Sequence, residues 1–471
     1  MLIGRLVTQG SRFAVSILLA RLLTPEAFGL VAVAMTTILA LEVIKDLGTG
    51  AALIQRTQVD QRLLSSVFYL NTVMGLLSSG AMALGAPLIA GLFSTPDAAP
   101  VVRALSLVLL VGGLVQTHHA LLRRDMRFSA IAAVEVTGAL TTGAVSIGLA
   151  VSGAGVWAMV WGTVAGVVAG TVVAWLRSGW RPTAELAVRP LLDIAGFSLH
   201  TAAFNATNFA LQNADKLLVG RWLGSSSLGV YSLAQRTISY PVESISHVLM
   251  TVLFPAFARS QDDDSALRKG YARAAGAIAF VTFPTMVGAA VVAEPLVGAM
   301  LGDKWSALVP LLWFMAPAGS IAALLSAVNT LYSAKGRADW MFRWGLASGA
   351  VTLGAFALGL QWGLVGLAVA YLAVMVVQAP VGSAIALSLI GMRLRDLGRA
   401  LAPYGLMTAA MASVAAATVQ AVEAGGGGAM GQLVAGVASG AITYGLLALL
   451  LRPPAVGDLK QIARARPGGR G

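Results

Sequence analysis

The chain has 471 residues, 57% hydrophobic and only 11% charged, with a formal net charge of +12 and no cysteine. A soluble protein of this length needs far more charge to cover its surface. Without cysteine there is no disulfide, no thiolate nucleophile and no cysteine-held metal. The basic residues sit in short loops between apolar blocks, which argues against nucleic acid and for the lipid bilayer as solvent.

In chain order, about fourteen apolar segments of spanning length occur, at roughly 3–23, 27–47, 63–92, 101–122, 130–151, 155–176, 192–220, 227–253, 273–301, 306–332, 341–360, 363–390, 400–422 and 430–451. They are too long for barrel strands and do not alternate polar with apolar, so the expected fold is all-α integral membrane. The first block carries Arg5, Arg12 and Arg21 and runs directly into the second, so it reads as a retained helix rather than a cleaved signal.

The loops alternate in charge. One set holds Arg56 and Arg62; Arg123, Arg124 and Arg127; Arg177, Arg181 and Arg189; Arg259, Arg268, Lys269 and Arg273; Lys335, Arg337 and Arg343; and Arg393, Arg395 and Arg399. The other is short and poor in Lys and Arg: "TPEA" after Leu23, "STPDAAP" after Phe93, "SGAG" after Val151, "GSSS" after Leu223, "GDKW" after Leu301 and "EAGGGG" after Val422. The positive-inside rule makes the first set, and both termini, cytoplasmic.

One pattern is written twice. "LLARLLTPEAFGLVAVA", ending at Ala34, matches "LVGRWLGSSSLGVYSLA", ending at Ala234, with Leu18, Arg21, Leu23 and Gly29 falling on Leu218, Arg221, Leu223 and Gly229. An even number of helices between copies gives them the same orientation, so the symmetry axis should run along the membrane normal. A weaker echo places Arg127 opposite Arg337 and "GAGVWAMV" opposite "GLVGLAVA". The expected organisation is two pseudo-symmetric six-helix lobes around a central cavity, residues 1–182 and 183–398. Two further helices follow at 399–451, then a basic cytoplasmic tail at 452–471.

Polar residues mark the candidate cavity. The first helix carries Arg5, Thr8, Arg12 and Ser16 on one face. Two hundred residues later come Asn205, Asn208, Gln212 and Lys216. Charge in hydrocarbon costs roughly 2.5–3.5 kcal/mol on insertion scales, so such faces turn toward protein or water. Lys45 and Arg236 join the substrate set, and Glu42 and Glu243, at similar depth in the two copies, are candidates for coupling to a proton or sodium ion. His118 and His119, near a helix end, read as interfacial, and Asp215 as a partner for Lys216 or Arg221. Arginine forks suit phosphate, and Asn and Gln suit sugar hydroxyls. No P-loop, H-E-x-x-H or G-x-S-x-G occurs. "QDDD" at Gln261–Asp264 reads as a solvated helix start, so no catalytic or metal site and no cofactor is expected.

Four stretches resemble a known family: "LLARLLTPEAFGLVAVA", "DLGTGAALIQR" at Asp46–Arg56, "LLRRDMRF" at Leu121–Phe128 and "NADKLLVGRWLGSSSLGVYSLAQR" at Asn213–Arg236. The chain resembles the polysaccharide-transporter branch of the MOP flippase superfamily: the O-antigen and exopolysaccharide repeat-unit flippases, including the colanic-acid-exporter type. The resemblance implies a MATE-like fold in a bacterial inner membrane. It also implies, as cargo, an undecaprenyl-pyrophosphate-linked oligosaccharide carried to the periplasmic leaflet by alternating access, with a polymerase and a chain-length regulator as partners. The alternatives are a cation-coupled multidrug exporter and a flippase of the peptidoglycan lipid precursor.

Overall fold

A computed structural model describes residues 2–45, 49–56, 59–184, 213–239, 263–455 and 457, with side chains of residues 2–9, 44, 51, 52, 55 and 338 outside the description. Ten stretches of described residues are long and apolar enough to cross a membrane, and one, Asp339–Ser388, is 50 residues long and holds two crossings. Each of the fourteen expected segments falls on helix, three of them only in their described parts. Among the described residues there is no strand. The chain divides into two compact units, Met1–Ser232 and Leu233–Gly471.

The first unit opens with α1 (Leu2–Leu22) and α2 (Pro25–Lys45), then a short α3 (Thr49–Gln55). Between the first two helices the Thr24 hydroxyl accepts from the Ala27 N–H at 3.3 Å, and Pro25 occupies the first helical position, where no amide proton is needed. The span α4 (Gln61–Leu84) starts at Asp60, whose carboxylate accepts from the Leu63 N–H at 2.9 Å. It breaks at Gly85 before α5 (Ala86–Leu92). The next crossing is also broken, into α6 (Ala98–Leu105) and α7 (Leu107–Arg124).

The pair α8 (Phe128–Val151) and α9 (Val156–Ser178) shows how small residues stand in for a hydrophobic driving force that lipid cannot supply. Gly162, Gly166 and Gly170 of α9 lie four apart, opposite Ser146, Thr142 and Gly138 of α8. A Cβ on Gly162 would land on the Ser146 hydroxyl, and one on Gly166 on the Thr142 hydroxyl. A Cβ on Gly170 would come within 4.0 Å of the Gly138 Cα. The two backbones therefore run antiparallel in near contact. Gly75 of α4 and Gly113 of α7 make a similar crossing.

Helical residues 213–239 (α10) carry Gly224 at φ +81°, where a right-handed helix cannot continue. A straight helix would hold Asp215 and Tyr231 about 24 Å apart. Instead the Tyr231 hydroxyl donates to Asp215 Oδ2 at 2.7 Å, so α10 folds back on itself as a hairpin. It repeats the α1–α2 hairpin with a glycine in place of the Thr-Pro turn.

In the second unit, α11 (Asp264–Val291) is capped by Asp263, which accepts from the Ser265 and Ala266 N–H groups at 2.9 and 3.0 Å. The described half of the "QDDD" run is thus a helix start, as its composition suggested. Then follow α12 (Ala293–Met300), α13 (Leu308–Ala334), α14 (Ala338–Gly359), α15 (Gly363–Ser388), α16 (Leu394–Ala424) and α17 (Ala429–Leu451). Its core joins Tyr271 and Ile278 of α11, Leu331 and Tyr332 of α13, Leu387 of α15 and Tyr404 of α16. The last helix packs on α11 as well, through a hydrogen bond from the Tyr444 hydroxyl to the Phe280 carbonyl at 2.8 Å.

The weaker sequence echo has a local structural counterpart. After α7, the Arg127 N–H donates to the Leu122 carbonyl at 2.9 Å and the Met126 N–H to the Arg123 carbonyl at 3.1 Å; Met126 has φ +51°. After α13, the Arg337 N–H donates to Tyr332 at 2.9 Å and the Gly336 N–H to Ser333 at 3.2 Å; Gly336 has φ +66°. Both turns close a helix by the same pair of bonds through a left-handed residue. Arg127 and Arg337 then serve as the N-caps of α8 and α14.

Candidate functional site

The candidate residues in the first unit separate into two groups. On α1, Arg12 is exposed, and one turn later Ser16 is half-buried with its hydroxyl oxygen shut away from solvent and without a hydrogen-bond partner. Val15 turns toward α8, where a Cβ on Gly143 would meet its Cγ2 at 2.8 Å. Thr8 lies on α1, but its side chain is outside the description.

The second group lies deeper. Lys45, at the end of α2, is only 4% exposed. It fits because α7 has a glycine beneath it: a Cβ on Gly112 would lie 2.8 Å from Lys45 Nζ. Glu42, one turn earlier on the same helix, is half-buried. Close by in sequence, the buried Thr49 hydroxyl donates to Asn71 Oδ1 at 3.1 Å. That bond fixes the amide of Asn71, which is 2% exposed, and leaves its Nδ2 group buried without a partner. The backbone carbonyl of Asn71 lies where a Cβ on Gly113, the neighbour of Gly112, would meet it at 2.6 Å. The Lys45 ammonium and the backbone of Asn71 therefore approach the same turn of α7, and the buried Nδ2 of Asn71 favours an acceptor. Sequence reading picked out Lys45 and Glu42 but missed Thr49 and Asn71. A lone amide in the middle of a spanning segment was the available signal.

On α10, Lys216 is half-buried and its Nζ donates to Asn213 Oδ1 at 2.8 Å. Asp215, expected to pair with Lys216 or Arg221, is a buried acceptor for the Tyr231 hydroxyl and for the Lys216 backbone N–H at 2.8 Å. The Arg221 guanidinium instead donates to the Ser94 hydroxyl. Arg236, in the second unit, is half-buried. Asn205, Asn208, Gln212 and Glu243 lie outside the described residues.

His118 corrects the interfacial reading. It is fully buried, with Nδ1 bonded to the Ser178 hydroxyl at 2.8 Å and its ring 4.5 Å from that of Trp175, 5.3 Å from Trp180 and 6.2 Å from Phe68. Neighbouring helices cover a position that hydropathy alone places near a span end. In the second unit, a hollow of about 570 Å³ against α14 and α15 is lined by Leu358, Trp362, Val365 and Val369 among other apolar residues. Such a lining offers little to a phosphate or a sugar.

A family model described as "Polysaccharide biosynthesis protein" matches residues 18–310, well over half of the chain. The chain belongs to this family. Its relatives include the teichuronic acid biosynthesis protein TuaB of Bacillus subtilis (strain 168), 29% identical over 86% of this chain and 84% of that one. They also include the succinoglycan biosynthesis transport protein ExoT of Rhizobium meliloti (strain 1021), 27% identical over 98% of this chain and 93% of the relative. Among solved structures, the lipid II flippase MurJ in an inward closed conformation superposes with a TM-score of 0.76. The match covers 96% of this chain and 98% of that one at 13% identity, a likeness of fold. This polysaccharide biosynthesis protein is thus a multi-pass membrane protein with the flippase fold expected from its sequence. Of these proteins, ExoT is named as a transport protein and MurJ as a flippase.

Proposed function

We propose that this chain carries undecaprenyl-pyrophosphate-linked oligosaccharides from the cytoplasmic to the periplasmic leaflet of a bacterial inner membrane, by alternating access, for surface polysaccharide synthesis. The observation that carries the reading is Lys45. Lys45 is held at 4% exposure at the end of α2, and a polyanionic headgroup is a cargo that suits an ammonium there. Asn71 and Thr49 beside it add the neutral polar contacts that a sugar phosphate also takes. Arg12, Lys216 and Arg236 extend the cationic set along the path, with Thr8, Ser16, Asn205, Asn208 and Gln212 as its hydroxyl and amide lining. Glu42 is the candidate for coupling to protons or sodium, with Glu243 as its counterpart. A polymerase and a chain-length regulator would take up the product outside.

The test is export of polymer in cells relying on the plasmid-borne protein. Lys45→Ala, inserted at normal level, is expected to abolish surface polysaccharide, and Lys45→Arg to restore part of it. Full export by Lys45→Ala would remove the cation from the pathway. In vesicles with an imposed proton or sodium gradient, Glu42→Gln should retain flipping but lose its response to the gradient. An unchanged response would take coupling away from Glu42.

A further inference from the structure

The two repeated hairpins meet each other. A Cβ on Gly29, in the first turns of α2, would land on the carbonyl oxygen of Ser225 in α10. A Cβ on Gly229 would land on the carbonyl oxygen of Pro25, and would lie 2.8 Å from the Gly29 backbone nitrogen. Adding two hundred to 25 and 29 gives 225 and 229, so one contact is the other with its partners exchanged. That is the signature of an isologous contact about a local two-fold axis. Only backbone meets backbone there. The flanks are sealed by Phe28 and Leu228, both buried, and by Phe93, whose ring lies where a Cβ on Gly220 would sit.

We infer that this paired-glycine contact is the external seal of the transport path. The inference rests on the flippase reading, which requires the outer end to be closed while cargo enters from inside. Three observations on the chain support the assignment. The contact lies at the tips joined by "TPEA" and "GSSS", two of the loops that the charge pattern places outside. At its centre the nearest atoms on both sides are backbone, so only the flanking Phe28, Leu228 and Phe93 side chains move when the hairpins part. And the buried carboxylate of Asp215 on α10 accepts from Tyr231 across its own hairpin, a bond that ties the two arms together when the hairpin moves. The glycines are there because any side chain would hold the tips apart.

The absence of cysteine from the chain gives a clean test. Ser232→Cys places a thiol on the second arm of α10, at a buried position below the tip. A membrane-impermeant maleimide applied from outside should label it slowly. Adding Gly29→Val or Gly229→Val should raise the labelling rate about tenfold or more, since overpacking shifts the seal toward its open state. Adding Gly91→Val, where a Cβ meets open space, should leave the rate unchanged. If a valine variant fails to insert, Gly29→Ala and Gly229→Ala are read in the same way. The alanine pair together should exceed either alone by much less than the product of the two, because both act on one contact. Slow labelling in every inserted variant, or fast labelling of Ser232→Cys alone, overturns the seal. The readout needs no cargo. A positive result alongside unaltered polysaccharide would therefore keep the gate and sink the saccharide reading instead.

Discussion

Met126 and Gly336 occupy equivalent turns with the same pair of hydrogen bonds, yet one is methionine and the other glycine. A side chain in the left-handed region costs about 1–2 kcal/mol. Met126 is 71% exposed, so its side chain returns little by packing. Met126→Gly removes the strain and adds the freedom of an unfolded glycine, about 0.5–1 kcal/mol. The net expectation is a gain of about 0.5–1 kcal/mol, or roughly 1–4 °C in Tm for a unit of this size. Gly336→Met is the reverse experiment. A Cβ there meets nothing within 4 Å, so the loss is conformational alone and of similar magnitude. Both are read by thermal unfolding of purified protein in detergent, followed by tryptophan fluorescence. A lower Tm for Met126→Gly, or no change for Gly336→Met, would refute the claim that the two turns share one backbone geometry.

Two other perturbations probe the packing. Gly162→Ala forces a methyl onto the Ser146 hydroxyl and should cost about 1–3 kcal/mol. Adding Ser146→Ala should recover most of it, because that change removes both the obstructing oxygen and a buried hydroxyl with no partner. Failure of the second change to rescue would show that the α8–α9 crossing is not set by this pair. Tyr231→Phe withdraws a donor from the buried Asp215 carboxylate and should cost about 1.5–3 kcal/mol. Limited proteolysis of the α10 hairpin should accelerate accordingly, and an unchanged digestion rate would dismiss the Asp215–Tyr231 bond as a fastening.

The candidate site was only partly readable. Lys45 and Glu42 stand out because charge in an apolar run is locally improbable. Asn71 and Thr49 gain meaning only when α3 and α4 bring them into contact from positions 22 residues apart. His118 was misjudged for the same reason: position along a helix says where a residue sits in the bilayer, not whether Trp175, Trp180 and Phe68 enclose it. Asp215 was assigned to nearby cations because nearness in sequence was the only guide. The fold at Gly224 adds to it a tyrosine 16 residues on.

By itself the sequence determined the solvent, the order of the apolar segments, the alternation of loops and the written repeat. Each follows from the partition of a single segment into hydrocarbon, or from matching one segment with another, and neither needs to know what touches what. The tertiary structure decided which small residues become crossings, where α10 reverses, and that Gly29 and Gly229 close on each other's helix starts. Those outcomes depend on backbone approach between stretches up to two hundred residues apart. Lipid is as apolar as the helices it surrounds, so hydropathy does not distinguish a face that meets lipid from one that meets another helix.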